Sequence, residues 1–168
     1  MNVVDIREAR LTDVEAIELI QREAAEHHAY LGQTATATIE AIEQSIETLP
    51  QRYPFLVATV QDKIVGFVYA APFSNRVAFN HSCIASLCLP SSLMLNNAGQ
   101  QLMEELERRL EAASVIQVLL NLISSNESYL NFLLQNGFNQ VGHLPQVGSQ
   151  ENQRLDVTWV MKTLIPTA

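Results

Sequence analysis

The chain has 168 residues, 48% of them hydrophobic and 17% charged, enough apolar material for one domain with a sizeable core and against disorder over most of its length. Lys and Arg number 10 against 18 Asp and Glu, a net charge of −8. That leaves few cations for the phosphate contacts of a long nucleic acid, and the two Cys exclude a disulfide scaffold.

Residues 3–8 alternate loosely and predict a short first strand. Thr12 and Glu15 form a capping-box pair, and Val14, Ile17, Ile20 and Ala24 follow at helical spacing, so residues 13–28 read as a helix. His27, His28, Tyr30 and Gly32 mark its end. Ile39, Ile42, Ile46 and Leu49 share one stripe of a second helix, with Pro50 and Pro54 at its exit. Phe55–Gln61 and Ile64–Ala71 read as a hairpin turning at Asp62-Lys63. Ser82–Leu89 is a strand stopped by Pro90, which cannot donate to a ladder.

Gly99–Ala113 reads as a helix with Leu102, Leu106 and Leu110 inward, and Glu104–Arg108 and Glu105–Arg109 paired on its wet side. Val115–Asn121 is an apolar run suited to a central strand covered on both faces. Ser124 and Glu127 form a second capping-box pair before a helix over 126–136, and Gly137 ends it in the left-handed conformation. Phe138–Leu144 and Leu155–Leu164 are the last two strands, separated by a polar loop. Strands interleaved with helices predict a mixed α/β fold with one sheet covered by helices.

The segment from Val77 to Met103 contains no Asp, Glu, Lys or Arg. It reads either as a central strand feeding a buried crossover or as the wall of a long, uncharged ligand. Amides at the start of the 99–113 helix can receive an anion, and Gly99 allows close backbone approach. Cys83 and Cys88 are an odd number apart on one strand and face opposite sides, so they read as buried small hydrophobes rather than joint metal ligands. No His pair has ligand spacing, and no metal site is expected. His81 begins a strand beside the uncharged segment and reads as a structural residue or as a general base. Asn126 and Tyr129 lie in the first turn of the 126–136 helix and project toward its N-terminus. There Asn126 either caps the helix or bonds a ligand. No nucleophile elbow, phosphate loop or Ser-His-Asp spacing points to a hydrolase or kinase.

The opening Ile6-Arg7-Glu8-Ala9 with Asp13, the Asn126 cap, Asn136-Gly137-Phe138, the Gly142–Gly148 stretch and Leu155-Asp156-Val157 resemble the GNAT N-acetyltransferases, most closely the phosphinothricin acetyltransferase-like branch. The resemblance covers nearly the whole chain as one domain, 1–168, and is most specific in the C-terminal half. It implies a sheet that splays between its fourth and fifth strands, here 82–89 and 115–121, with acetyl-CoA in the gap. Backbone groups around Leu87 and Leu89 would pair with the pantetheine arm. The loop Met94, Leu95, Asn96, Asn97, Ala98 and Gly99 would take the pyrophosphate, and Asn126 would bond the pantetheine or hold the loop. A small-molecule amine would enter past residues 26–36 and the hairpin. A homodimer partly through the C-terminal strands is a further implication.

Several positions depart from that pattern. Met94 stands for the usual Arg of the pyrophosphate loop, and Asn97 for its middle Gly. Asn tolerates the left-handed region better than most residues, so Asn97 preserves the turn. Ile84 holds the position of the branch's presumed base, a Glu, and Leu133 that of the Tyr or His that protonates the departing thiolate. Two readings stand on these residues. One is an N-acetyltransferase moving an acetyl group to a small or amino-acid-like amine. The other is a degenerate member of the fold that binds a small molecule or a protein without turnover, with acetyl-CoA binding weakened or lost. With no leader at MNVVDIREAR and no apolar run of about 18 residues, a soluble cytoplasmic protein without a membrane partner is expected.

Overall fold

A computed structural model describes residues 3–26, 37–49, 52–90 and 97–164. Seven strands form one sheet in the order β1-β2-β3-β4-β5-β7-β6. They are β1 (Val4–Glu8), β2 (Phe55–Val60), β3 (Lys63–Pro72), β4 (Ser82–Cys88), β5 (Gln117–Ile123), β6 (Asn139–Gln150) and β7 (Gln153–Thr163). The helices are α1 (Val14–Glu26), α2 (Ile39–Thr48), α3 (Ala98–Ala112) and α4 (Glu127–Gln135). All neighbouring strands are antiparallel except β4 and β5. The mixed, helix-flanked sheet is the α/β architecture expected from the pattern.

Strand alternation sends side chains to two cores. Leu56, Val68, Cys83, Ala85 and Leu87 face one side, where Leu102 and Leu106 of α3 and Tyr129 and Leu133 of α4 cover them. Val57, Phe67 and Cys88 face the other, under Val14 and Ile17 of α1 and Ile42 of α2. Cys83 and Cys88 thus lie on opposite faces, as their odd spacing requires. Both are free and buried, and burial pushes each thiol up to about 12. Neither carries appreciable thiolate near neutrality. Iodoacetamide is therefore expected to leave both unmodified in the folded chain at mildly alkaline pH and to label both after unfolding. Mass spectrometry of the intact protein checks this, and rapid labelling of either thiol in the native state would contradict it.

Several boundaries differ from the sequence reading, each for a local reason. The first long helix starts through a 3-10 turn, Leu11–Asp13. Asp13 Oδ2 accepts from Arg10 N at 2.8 Å, and both its oxygens take the Arg7 guanidinium, at 2.7 and 2.9 Å. The capping is thus done by Asp13, not by the Thr12–Glu15 pair. The β2–β3 hairpin turns at Gln61 and Asp62, with φ 50° and 62°, one residue earlier than expected. A register shift at Ala58/Thr59 accommodates the difference.

α4 is capped by Asn126, whose side chain accepts from Tyr129 N at 3.3 Å. Ser124 instead meets Thr158 Oγ1 at 2.7 Å and His143 Nδ1 at 3.4 Å, and His143 Nε2 lies 3.2 Å from Asp156 Oδ2. A Ser, a His and an Asp are thus gathered without any sequence spacing to announce them. Ser124 is closer to Thr158 than to the ring, and His143 and Asp156 are over 40% exposed, so the group is a clasp between β5, β6 and β7.

The polar stretch after Leu144 is not a loop. It continues β6 to Gln150 and turns tightly at Glu151-Asn152, φ 48° and 65°, into β7. β5 alternates buried with half-buried residues rather than being covered evenly on both faces. Gly137 does end its helix with φ 89°. His27, His28, Tyr30, Gly32 and Pro50 lie outside the described residues. No described helix is long and apolar enough to cross a membrane.

Candidate active site

The geometry that matters begins at the single parallel pair. β4 and β5 match at Ser82↔Gln117, Cys83↔Val118 and Ile84↔Leu119, and at no later residue. β4 nevertheless keeps its ladder to β3 out to Phe67↔Cys88, and β5 keeps its ladder to β7 out to Ile123↔Val157. The two strands therefore part after Ile84 and Leu119, each still held by its outer neighbour. At the joined end, Ile116 N and Gln117 N both donate to His81 O, at 2.8 and 3.0 Å.

Parting leaves main-chain groups on the facing edges without ladder partners, and buried groups of that kind must find others. Leu87, fully buried, shows the outcome: its carbonyl accepts from the Tyr129 phenol at 3.1 Å. Tyr129 comes from the first turn of α4, is fully buried, and sets its ring edge-on to Phe132 with centroids 6.0 Å apart. The residue was legible as a first-turn side chain. Its reach across the gap to β4 was not, because it depends on where a helix far along the chain lies.

At the wide end of the gap, Asn97 precedes α3 with φ 72° and ψ −11°. The left-handed turn proposed for Asn97 is present. The amides of Ala98, Gly99 and Gln100 open the helix, where no acceptor exists within the helix itself. Ala98 and Gly99 are buried. A Cβ on Gly99 would lie 2.9 Å from Leu89 Cδ1 and 3.0 Å from Phe132 Cζ, so this glycine admits close approach of those two side chains. Met94, Leu95 and Asn96 fall outside the described residues.

Structure thus places Leu87 on the parted stretch of β4 and Leu89 just beyond it, with Gly99, preceded by Asn97 and Ala98, packed against Leu89. Asn126 stands at the start of α4, next to Tyr129. His81 is elsewhere: it is exposed, precedes the joined end of β4, and its Nδ1 lies 3.4 Å from Ser114 O. It has no approach to the parted stretch, which starts several residues further along β4. Ile84 sits on the last joined rung and Leu133 is fully buried, so neither position offers an acid or a base. Ser86, 7% exposed and registered with Tyr69, is the hydroxyl carried by the parted stretch of β4 itself. Among the described residues no cluster of His, Cys, Asp or Glu could hold a metal.

A sheet parted at its one parallel pair, with a helix opening onto the gap, matches a known architecture. The acetyltransferase (GNAT) domain model covers residues 6–159. The chain belongs to the GNAT acetyltransferase family. Within that family it is related to the phosphinothricin acetyltransferases. It is 26% identical to the phosphinothricin N-acetyltransferase of Alcaligenes faecalis over 168 residues, 95% of this chain and 82% of that one. A GNAT-superfamily phosphinothricin acetyltransferase from Sinorhizobium meliloti, solved with acetyl-CoA, superposes with a TM-score of 0.84 at 21% identity, covering 95% of this chain and 88% of that one. Ribosomal-protein-alanine N-acetyltransferase from Brucella melitensis gives 0.85 at 25% identity, covering 95% and 99%. The GNAT fold, and with it the splay between the fourth and fifth strands, is therefore shown for this chain.

Proposed function

We propose that the chain binds acetyl-CoA in the gap between β4 and β5 and passes the acetyl group to the amine of a small or amino-acid-like acceptor. The observation that carries this reading is the parting of the two strands after three paired residues. The residues fit the cofactor well at one end. The left-handed Asn97 and the first-turn amides of α3 form an anion-receiving corner, where the pyrophosphate would be held. At the other end the Leu87 carbonyl, a partner expected for the pantetheine arm, is taken by Tyr129. The arm fits there once the phenol turns away.

Bound acetyl-CoA supplies an activated thioester open to attack by a neutral amine. The chain contributes position and exclusion of water more than proton transfer. Ile84 and Leu133 make apolar walls, and Tyr129 is the titratable side chain that the described residues place in the gap. The acceptor enters on the α1–α2 side. There Phe55 stacks on Tyr69 at 5.0 Å, and Ile17, Gln21 and Ile42 line a small cavity of about 180 Å³ with them. A soluble cytoplasmic protein and a homodimer through the β6–β7 edge belong to the same proposal.

The tyrosine in the gap and the two apolar positions also favour a second reading, in which the fold binds its ligand without turnover. Calorimetric titration of the full chain with acetyl-CoA, followed by a single-turnover assay with a panel of amines, separates them. The first reading expects submillimolar binding, weakened about tenfold in Asn97→Asp, where a carboxylate would face the phosphates. Undetectable binding would defeat it, and tight binding without acetyl transfer would favour the second.

A further inference from the structure

At the end of the sheet away from the gap, a cleft of about 860 Å³ opens between the end of β1, the last turns of α2 and α3, and residues 52–55. Pairing places it there. Pro54 O accepts from Ala70 N, and β3 then runs on to Pro72, which registers with Cys83 at the joined end of β4. Its size is that of a small-molecule site.

Its chemistry differs from that of the rest of the molecule. The chain carries a net charge of −8 and only ten Lys and Arg, yet Arg52, Arg108 and Arg109 all line this one cleft. Two of them are already balanced. Arg108 pairs with Glu105, and Arg109 with Glu105 and Glu8. Arg52 is not. Its Nη2 donates to the main-chain oxygens of Asn80 at 2.6 Å and Ser114 at 3.5 Å, and no carboxylate among the described residues pairs with it. Its Nε is buried and meets no acceptor among those residues. Three guanidinium groups thus face two carboxylates, and the unmatched charge belongs to the arginine with an unmet donor.

Beside the arginines, Glu8 and Ser45 give the cleft polar edges, and one wall is apolar and aromatic: Ile46 comes from α2 and Leu49 from its C-cap, Tyr53 and Phe55 from the approach to β2 and its first residue, and Ala112 from the end of α3. A guanidinium with spare donors beside an apolar wall recognises an anionic head on an apolar body, because the planar fork matches carboxylate and phosphate oxygens.

We propose that this cleft is a second ligand site, for a small organic anion: a carboxylate or phosphate monoester carried on an aromatic or aliphatic body, with Arg52 as its anchor. The site is separate from the gap between β4 and β5 and does not depend on acetyl-CoA binding there.

Phenyl phosphate is the probe, titrated into the full chain by calorimetry, with inorganic phosphate and benzyl alcohol as the two half-ligands. Phenyl phosphate is expected to bind at least about tenfold more tightly than either half alone, since charge and apolar contact are both needed. Arg52→Met removes the charge and the Asn80 and Ser114 bonds together. Ala112→Trp therefore serves as the second variant. It fills the cleft from an exposed position and leaves every guanidinium bond in place. Both are expected to lower affinity by about tenfold or more, with the far-ultraviolet spectrum of Ala112→Trp unchanged. Binding that persists in Ala112→Trp would place the probe elsewhere and overturn the proposal. So would phenyl phosphate binding no better than inorganic phosphate.

Discussion

Tyr129→Ala is expected to bind acetyl-CoA at least about tenfold more tightly than the parent chain, a gain of about 1.4 kcal/mol. Truncation frees the Leu87 carbonyl and empties the space of a fully buried ring between the parted strands. The cost appears in the unliganded protein. Removing a buried aromatic typically loses about 3–5 kcal/mol, so the variant should melt well below the parent. Acetyl-CoA should then restore more of its melting temperature than it does for the parent, because ligand atoms replace the missing contacts.

Tyr129→Phe separates bond from bulk. It keeps the ring and loses the 3.1 Å hydrogen bond to Leu87 O, leaving a buried acceptor unmet at about 1–3 kcal/mol. Its acetyl-CoA affinity should stay near that of the parent. Calorimetry and thermal melting with and without acetyl-CoA read both variants. If Tyr129→Ala gains neither affinity nor protection, the tyrosine does not stand in the cofactor's path.

Asp13→Ala carries the second large effect, an expected loss of roughly 3 kcal/mol and about 6–12 °C in melting temperature. Asp13 is 7% exposed and holds three donors at once: both terminal nitrogens of Arg7 and the main-chain N–H of Arg10. Removing it strands the half-buried Arg7 charge and uncaps the turn into α1. The same contacts set an acid limb. The hydrogen bond from Arg7 holds the Asp13 carboxyl below its ordinary value, against the opposing effect of burial. Hydrogen bonding from Arg108 and then Arg109 holds Glu105 at about 2.

A carboxyl held below its unfolded value stabilises the fold above that value. The stabilisation then disappears as pH falls through the folded value. The contribution of Asp13 and Glu105 should therefore be level above about pH 4–5 and decline toward about pH 2. Asp13→Asn, which keeps the shape and loses the charge, should flatten that decline while lowering stability at neutral pH. An undiminished slope in Asp13→Asn would show that other carboxyls govern acid unfolding.

Where side-chain periodicity is strong, the elements were readable before the structure. The stripe Ile39, Ile42, Ile46, Leu49 gave α2 within a residue, and Gly137 marked the end of α4 at its positive φ. The errors fell where a competing local bond won. Asp13 offered the chain a carboxylate for Arg7 and for Arg10 N together, which Thr12 could not match. Ser124 found Thr158 across the sheet, and left the helix cap to Asn126. The polar stretch after Leu144 looked like a loop because its pleat is broken twice, between Gln140 and Gly142 and between Leu144 and Gly148, which hides a period of two.

The site was legible in part. The turn at Asn97 followed from the tolerance of Asn for left-handed backbone, and the opposed faces of Cys83 and Cys88 from counting. His81 could not be placed by such means. Nothing local says that β4 is joined to β5 at its His81 end and free at its Leu87 end, since the parting is a property of four strands and a helix together. The contact between Tyr129 and Leu87, 42 residues apart, is of the same kind.

The outer part of the β6–β7 hairpin has one more consequence. Beyond Val157, where β5 ends its pairing, the two strands run on to Gln150 and Gln153 as a ribbon that bonds mainly to itself. Its residues are largely exposed, and a lone two-stranded ribbon is marginal in water. The tip at Glu151-Asn152 should fray while the seven-stranded body stays shut. Its amides should surrender their hydrogens to deuterium long before those of β5, which makes the tip the place where an insertion or a fused tag would disturb the protein least.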